Sequence, residues 1–144
     1  MDVGHGAILR CYRRPTMVAD LPPPPAVRRL APCPNLPNCV SSLAEDAAHR
    51  VEPLPLDGPP EQALVQLREI IEAMPRATVD EFGGSHLKAR FRSRLFRFTD
   101  DLELVVDAQA GVIHVRSASR IGYSDRGVNR SRVELIRSRY RSPS

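Results

Sequence analysis

The chain has 144 residues, a length that suits one domain of ordinary size. Hydrophobic residues make up 42% of it, but aromatic residues only 5%, and tryptophan is absent, so a core of mainly Leu, Ile, Val and Ala is predicted. The formal net charge of +4 is the sum of −3 over residues 1–85 (8 basic, 11 acidic) and +7 over residues 86–144 (13 basic, 6 acidic). No stretch approaches the roughly 18 apolar residues of a membrane span, and the N-terminus has no secretory signal. As written, the sequence therefore predicts a soluble, cytoplasmic protein.

The N-terminal third is dominated by proline, since twelve of the 14 prolines fall within the first 60 residues. Proline fixes φ and removes an amide donor, so the run LPPPPAVRRLAPCPNLPNC cannot form a helix or a central strand. Residues 1–31 are therefore predicted to be a flexible arm of the polyproline II type. We expect residues 32–141 to form a single domain that begins with an irregular lead-in, and residues 142–144 to be a disordered tail.

The first regular elements are a strand and a helix. VEPLPL at 51–56 predicts a short edge strand, and DGPP then predicts a helix start with Asp57 or Gly58 as the cap. One face of this helix is apolar, and Pro75 ends it. The residues of that face are Ala63, Leu64, Leu67, Ile70, Ile71 and Met74.

The hydrophobic period then changes to two, which predicts four strands joined by short turns, at 76–82, 86–94, 101–108 and 112–119. A slip of phase at 95–98 predicts a β-bulge. A second helix is predicted at 124–140, capped by Ser124 or Asp125. Its buried face consists of Asn129, Val133, Ile136 and Tyr140. The predicted fold is a two-layer α+β domain: an antiparallel meander sheet of four to five strands, two helices on one face, and the order β-α-β-β-β-β-α.

Three blocks of the chain resemble the signature of a known family. These blocks are CPNLPNCVSS (33–42), FTDDLEL (98–104) and RSASRIGYSDRGVNRSRVELIR (116–137), and the family is the bacterial and plant domain of unknown function 1499 (DUF1499). The resemblance extends from about Cys33 to Tyr140. It implies membership of a family without an established activity. Many relatives look like exported or membrane-attached proteins, which would imply an association with the cell envelope, but this sequence departs from them in showing no such segment.

The block at 116–130 is the main candidate site. It is predicted to cross from the last strand, through a loop, into the start of the second helix, where free N–H groups and the helix dipole favour an anion. Guanidinium groups suit carboxylate or phosphate, so Arg116, Arg120 and Arg130 could form an anion pocket with the Ser124 hydroxyl. The other polar candidates in the block are Ser117, Ser119, Tyr123, Asp125 and Asn129.

The same residues also allow a purely structural interpretation. Asp125 can fill the helix N-terminus itself, and Asn129 can bind a loop carbonyl. Arg116 or Arg120 can pair with carboxylates of the neighbouring strands, the candidates being Asp100, Asp101 and Asp107. Two hypotheses therefore stand side by side: a non-catalytic domain that binds a small anion or anionic headgroup, and a structural or protein-interaction domain.

A second polar block consists of Cys33, Cys39, Ser41 and Ser42. The two cysteines could form a disulfide, or remain free thiols in a reducing cytoplasm. A third hypothesis is an enzyme that uses Cys39 or an Asp–Arg pair, and a nucleophilic Cys39 would need a nearby base such as His49 or His114. The histidines are scattered without ligand spacing, so no metal site and no cofactor are predicted.

The predicted strand 86–94 carries four cations on one face, Lys88, Arg90, Arg92 and Arg94. Together with the arginines of the second helix they could bind a polyanion, either nucleic acid or an acidic membrane surface. Interleaved exposed aromatic residues for base stacking are missing, so there is no specific nucleic-acid signature. Acidic residues of the adjacent strand can pair with these cations, which favours a solvated, cross-paired face.

Overall fold

The computed structural model describes residues 30–141. The predictions for the disordered tail and for all but the last two residues of the proline-rich arm lie outside this range. The elements are β1 (Cys39–Ser41), β2 (Leu54–Pro55), α1 (Pro60–Glu72), β3 (Ala77–Gly83), β4 (His86–Arg92), β5 (Thr99–Asp107), β6 (Val112–Ser119) and α2 (Val128–Arg141). Within the described range, no helix is long and apolar enough to cross a membrane.

The sheet is antiparallel and six-stranded, with the order β1-β6-β5-β4-β3, and β2 also pairs with β6. The α+β class and the predicted order from β2 onward are confirmed. The sheet has one strand more than the upper limit predicted, because β1 lies in the lead-in that was predicted to be irregular. This strand of three residues is too short to show a period of two, so only its partner β6 reveals it.

Helix α1 begins differently from the prediction. Its N-cap is Pro59, with Pro60 in the first turn, and no side chain among the described residues caps it. The predicted cap at Asp57 or Gly58 is therefore wrong. A cap accepts a bond from an amide of the first turn, and the prolines both remove donors there and move the helix start beyond Asp57.

The loop between β4 and β5 also corrects the prediction. Strand β4 ends at Arg92, and the slip of phase at 95–98 reflects a turn, not a β-bulge. The irregular register lies instead in β3, between Val79 and Glu81.

The core lies between one face of the sheet and the two helices, as the two periodicities predict. Its least exposed members include Leu67 and Ile71 of α1, which have no exposed surface. The sheet and α2 contribute Leu87, Leu102, Leu104, Ile113, Val115, Val133 and Ile136.

Helix α2 begins at Val128, four residues after the predicted start at Ser124. The intervening residues form a turn, in which the Val128 amide donates to the Asp125 carbonyl (3.1 Å). Ser124 and Asp125 of the candidate site therefore lie in the loop before α2, whereas Asn129 and Arg130 lie in its first turn.

Candidate functional site at the strand-loop-helix junction

The two polar blocks lie side by side. Strand β1 pairs with β6 over three residues, from Cys39 opposite Ala118 to Ser41 opposite Arg116. The polar block at 33–42 and the block at 116–130 therefore form one junction, which sequence alone could not decide.

Asn129 is the centre of this junction, and its side chain has no exposed surface. Its Oδ1 accepts a hydrogen bond from Ser117 Oγ (2.6 Å). Its Nδ2 donates to Asp125 Oδ2 (2.7 Å), Ser119 Oγ (3.0 Å) and the Asn38 carbonyl (3.3 Å), so the predicted bond to a loop carbonyl is present. One amide group thus joins the lead-in, the last strand, the loop and the helix.

Asp125 occupies the N-terminus of α2. Its Oδ1 accepts the Gly127 amide (2.8 Å), and its Oδ2 accepts the Asn129 amide (3.0 Å). These amides are the donors that an external anion would otherwise use. The negative charge at this helix end therefore belongs to the chain itself.

The three arginines of the predicted anion pocket do not meet at one site: Arg116 and Arg120 both line an open cleft of about 350 Å³, which four carboxylates also line, and Arg130 lines another. Arg120 makes two bonds to Asp101 (2.8 and 2.9 Å), and that hydrogen bonding raises the pKa of the guanidinium. Arg116 reaches the Pro32 carbonyl (3.4 Å), and its buried Nε has no partner among the described residues.

Arg130 is the third arginine of the predicted pocket. It donates to two carbonyls of the segment after β1, those of Arg50 (2.8 Å) and Ala48 (3.0 Å). Beside it lies an open cleft of about 160 Å³, whose charged lining is Arg130 and Asp125. The Arg130 guanidinium therefore binds the segment after β1 and holds it against α2. Tyr123 and Ser124 are exposed, and Ser124 Oγ accepts the Arg126 amide (3.2 Å).

Arg132 belongs to the junction, although the sequence did not single it out. It donates to Asp100 Oδ2 (2.8 Å) and to Asn129 Oδ1 (2.7 Å), and its guanidinium lies 4.4 Å from the centroid of the Phe91 ring. The candidate partners Asp100 and Asp101 thus both bind arginine, but Asp100 binds one from the helix. The spacing of three between Asn129 and Arg132 was a signal, because positions i and i+3 share a helix face.

Cys33 and Cys39 are joined by a disulfide, with their Cα atoms 5.6 Å apart. In this form neither sulfur is a thiolate, so Cys39 has no nucleophile to offer. Ser41 Oγ accepts the Leu43 amide (3.1 Å) and so stabilises the turn that follows β1.

Ser42, His114 and Asp107 form a row that resembles a hydrolytic triad. Ser42 Oγ lies 3.0 Å from His114 Nδ1, and His114 Nε2 lies 3.7 Å from Asp107 Oδ2. However, Ser42 is only 4% exposed, and its oxygen already accepts the Val115 amide (2.9 Å). Burial lowers the pKa of His114, and the neutral form of the ring can share a hydrogen bond with the Ser42 hydroxyl at Nδ1. The row therefore anchors the segment after β1 to the sheet.

His49 fixes the loop that follows β1. Its Nε2 donates to the Leu36 carbonyl (2.9 Å), and its Nδ1 faces Asp46 Oδ2 at 2.5 Å. Because both ring nitrogens face acceptors, the Leu36 bond and then the Asp46 bond raise the pKa of His49. Within residues 30–141 no group of three His, Cys, Asp or Glu side chains could hold a metal ion.

Together these contacts define a class of protein: a two-layer α+β domain in which the polar groups of the strand-loop-helix junction hydrogen-bond mainly to one another. A family described as "protein of unknown function (DUF1499)" matches the chain over residues 29–139. The chain belongs to this family, as the resemblance of its signature blocks predicted. No curated protein and no solved structure matches the chain.

Proposed function

We propose that the domain is a non-catalytic binding module for a small anion or anionic headgroup. The contact is made by arginines at the border of the junction and not by the helix N-terminus. One observation carries the proposal: four exposed arginines at one end of the sheet have no hydrogen-bonding or ion-pair partner for their side chains within residues 30–141. These unpaired arginines are Arg92, Arg94, Arg97 and Arg126.

Three of the unpaired arginines, Arg94, Arg97 and Arg126, belong to two loops at the same end of the sheet, and Arg92 is the last residue of β4. In the register of the sheet, Arg92 faces Thr99, and the Arg120 amide donates to the Thr99 carbonyl (3.0 Å). The β4–β5 loop (93–98) and the β6–α2 loop (120–127) therefore leave the sheet next to each other. Of the carboxylates at this end, Asp100 and Asp101 are engaged by other arginines, and Asp125 accepts the amides at the start of α2.

The chemistry of these loops suits phosphate or carboxylate. A guanidinium is permanently charged and presents paired donors, so exposed arginines recognise such groups without a deep pocket. Exposed charges are screened by salt, and we therefore expect modest affinity that falls as ionic strength rises.

The test is a titration of the isotope-labelled full chain with inorganic phosphate, followed by amide chemical shifts in NMR, with chloride at matched ionic strength as reference. We expect the amides of 93–98 and 120–127 to move. Arg94→Gln with Arg97→Gln should remove most of that movement, whereas the control Arg139→Gln, an exposed position near the end of α2, should not. Unmoved amides in both loops would refute anion binding.

The junction itself supports a second, structural function. Asn129, Asp125 and Arg132 bond mainly to one another and to the chain, and the contacts leave few donors for a ligand. If the phosphate titration fails while loss of Asn129 destabilises the fold, the domain is a structural or protein-interaction module in which this block only holds the layers together.

A further inference from the structure

We propose that the anion is displayed by a lipid bilayer, and that exposed apolar side chains of the same two loops enter its interfacial region. This inference rests on the proposed anion binding and names its source. The inserting residues, called the apolar tip, are Leu95, Phe96, Phe98, Ile121 and Tyr123.

The apolar tip is unusually exposed. Leu95 is 82% exposed, Phe96 73%, Tyr123 71% and Ile121 61%. The chain has only seven Phe and Tyr residues, and three of them, Phe96, Phe98 and Tyr123, are exposed at this one end. Single exposed apolar residues are ordinary, but large apolar side chains grouped at one place mark an interaction site.

The β4–β5 loop holds its apolar side chains in a fixed arrangement. The Ser93 amide donates to the Phe98 carbonyl, and the Phe98 amide donates to Ser93 Oγ, both at 2.9 Å. The rings of Phe96 and Phe98 stack with their centroids 5.6 Å apart. Arg97 has a φ of 53°, in the left-handed region, and turns the chain between them. A loop closed at its base presents the apolar groups at little further cost in conformational entropy.

The charge of the loops identifies the partner as an anionic bilayer. Arg94 and Arg97 flank Leu95 and Phe96 in the chain, and an arginine side chain is long enough to reach phosphates while its apolar neighbours lie deeper. Each basic residue near an anionic surface strengthens binding about five-fold. Apolar residues that alternate with unpaired cations on a projecting loop fit the boundary between headgroups and acyl chains, which is apolar on one side and negative on the other.

The absence of tryptophan from the chain allows a direct test of insertion. Phe96→Trp creates a single fluorescent reporter in the full chain. With vesicles of equal parts phosphatidylcholine and phosphatidylglycerol, we expect a blue shift of its emission and protection from a water-soluble quencher. Vesicles of phosphatidylcholine alone should give little of either. The control Val65→Trp, at a 46% exposed position on α1, should show no shift.

Co-sedimentation with the same vesicles separates the two proposals. Leu95→Ser with Phe96→Ser should weaken vesicle binding by about ten-fold or more, because the burial of apolar surface is lost, while the phosphate-induced shifts remain. Arg94→Gln with Arg97→Gln should weaken both. The matched controls Val65→Ser and Arg139→Gln should change neither.

Any one of four results would overturn the inference. If the serine variant binds vesicles like the wild type, or the Phe96→Trp emission does not shift on bound protein, the tip does not insert, although anion binding can still stand. If the wild type is a dimer in light scattering and the serine variant a monomer that binds vesicles equally well, the tip is a self-association surface. If neither phosphate nor vesicles bind, both proposals fail.

Discussion

The buried side-chain amide of Asn129 fills the centre of the block at 116–130 with hydrogen bonds to the chain itself. This block is therefore a structural junction and not an open pocket. All of its polar atoms are bonded, and its partners lie on the lead-in, β6, the loop and α2. Such a group stabilises the fold mainly because it gives each of its buried polar neighbours a hydrogen-bonding partner.

We therefore expect Asn129→Ala to lower the free energy of unfolding by about 2–4 kcal/mol, because the buried Ser117 hydroxyl loses its acceptor and Arg132 and Asp125 each lose one partner. Urea denaturation followed by circular dichroism measures the effect. The control Ser131→Ala, at an exposed position of the same helix, should change it little. A small loss for Asn129→Ala would mean that water replaces the amide and that the junction is open to ligands.

The raised pKa of His49 makes the free energy of unfolding depend on pH in a definite direction. Its pKa is raised in the folded state, so its stabilising effect is fully present below the unfolded value of about 6.5 and is lost as the pH rises through the folded pKa. His49→Gln should therefore cost more stability at about pH 5.5 than at about pH 8. Arg130 opposes the charge of His49 but is outweighed by the Leu36 carbonyl and Asp46.

Urea denaturation of the wild type and of His49→Gln at both pH values measures the difference between them. His114 has the opposite sign, since burial lowers its pKa and stability is lost as the pH falls below about 6.5. The wild type alone therefore mixes two trends, whereas the difference between wild type and variant isolates His49. An equal cost at both pH values would contradict the prediction.

At the scale of elements, periodicity predicted the long elements and failed for the short ones. Helix α1 and strands β3 to β6 show clear periods of 3.6 and 2, and the structure has them. The three-residue β1 has no readable period, and its register depends on bonds to β6. The start of α2 was misplaced because Ser124 and Asp125 both suit an N-cap, and the turn made by Asp125 precedes the helix.

The sequence predicted which residues belong to the candidate site, but not which hydrogen bonds and ion pairs they make. Ser117, Ser119, Asp125 and Asn129 were in the predicted block and meet in the junction. Arg132 was missed because the sequence does not reveal that Asp100, the carboxylate that receives it, is buried beside it. Likewise, the buried Arg137 binds the carbonyls of Glu52 and Pro53, which are main-chain groups that no side-chain pattern reveals.

The disulfide between Cys33 and Cys39 closes the loop that leads into β1. Cys33→Ser with Cys39→Ser should lower the free energy of unfolding by about 2 kcal/mol, because a short loop is freed in the unfolded chain. Urea denaturation with and without reductant measures this. A reductant should destabilise the wild type and leave the double variant unchanged, and Cys11→Ser serves as the control. If reductant has no effect on the wild type, the cysteines are not paired in solution.

At the scale of the whole molecule, the basic side chains of the second half fall into two groups, those that are paired within the chain and those that are not. Residues 86–144 carry a net charge of +7, but Arg120, Arg130, Arg132 and Arg137 are held by carboxylates or carbonyls of the chain. Only cations without such partners are available to an outside anion. A count of arginines in the sequence cannot separate the two groups, because their pairing is a property of the folded sheet and helix.

Two substitutions that each remove one positive charge at the same end of the sheet should therefore affect anion binding differently. Arg94→Gln removes an exposed, unpaired cation, so it should weaken binding of phosphatidylglycerol vesicles about five-fold and flatten the dependence on salt. Arg120→Gln removes a cation that Asp101 already neutralises, so binding should fall less. Co-sedimentation over a range of NaCl concentrations measures both. If Arg120→Gln weakens binding as much as Arg94→Gln does, net charge governs the contact and the individual unpaired arginines do not.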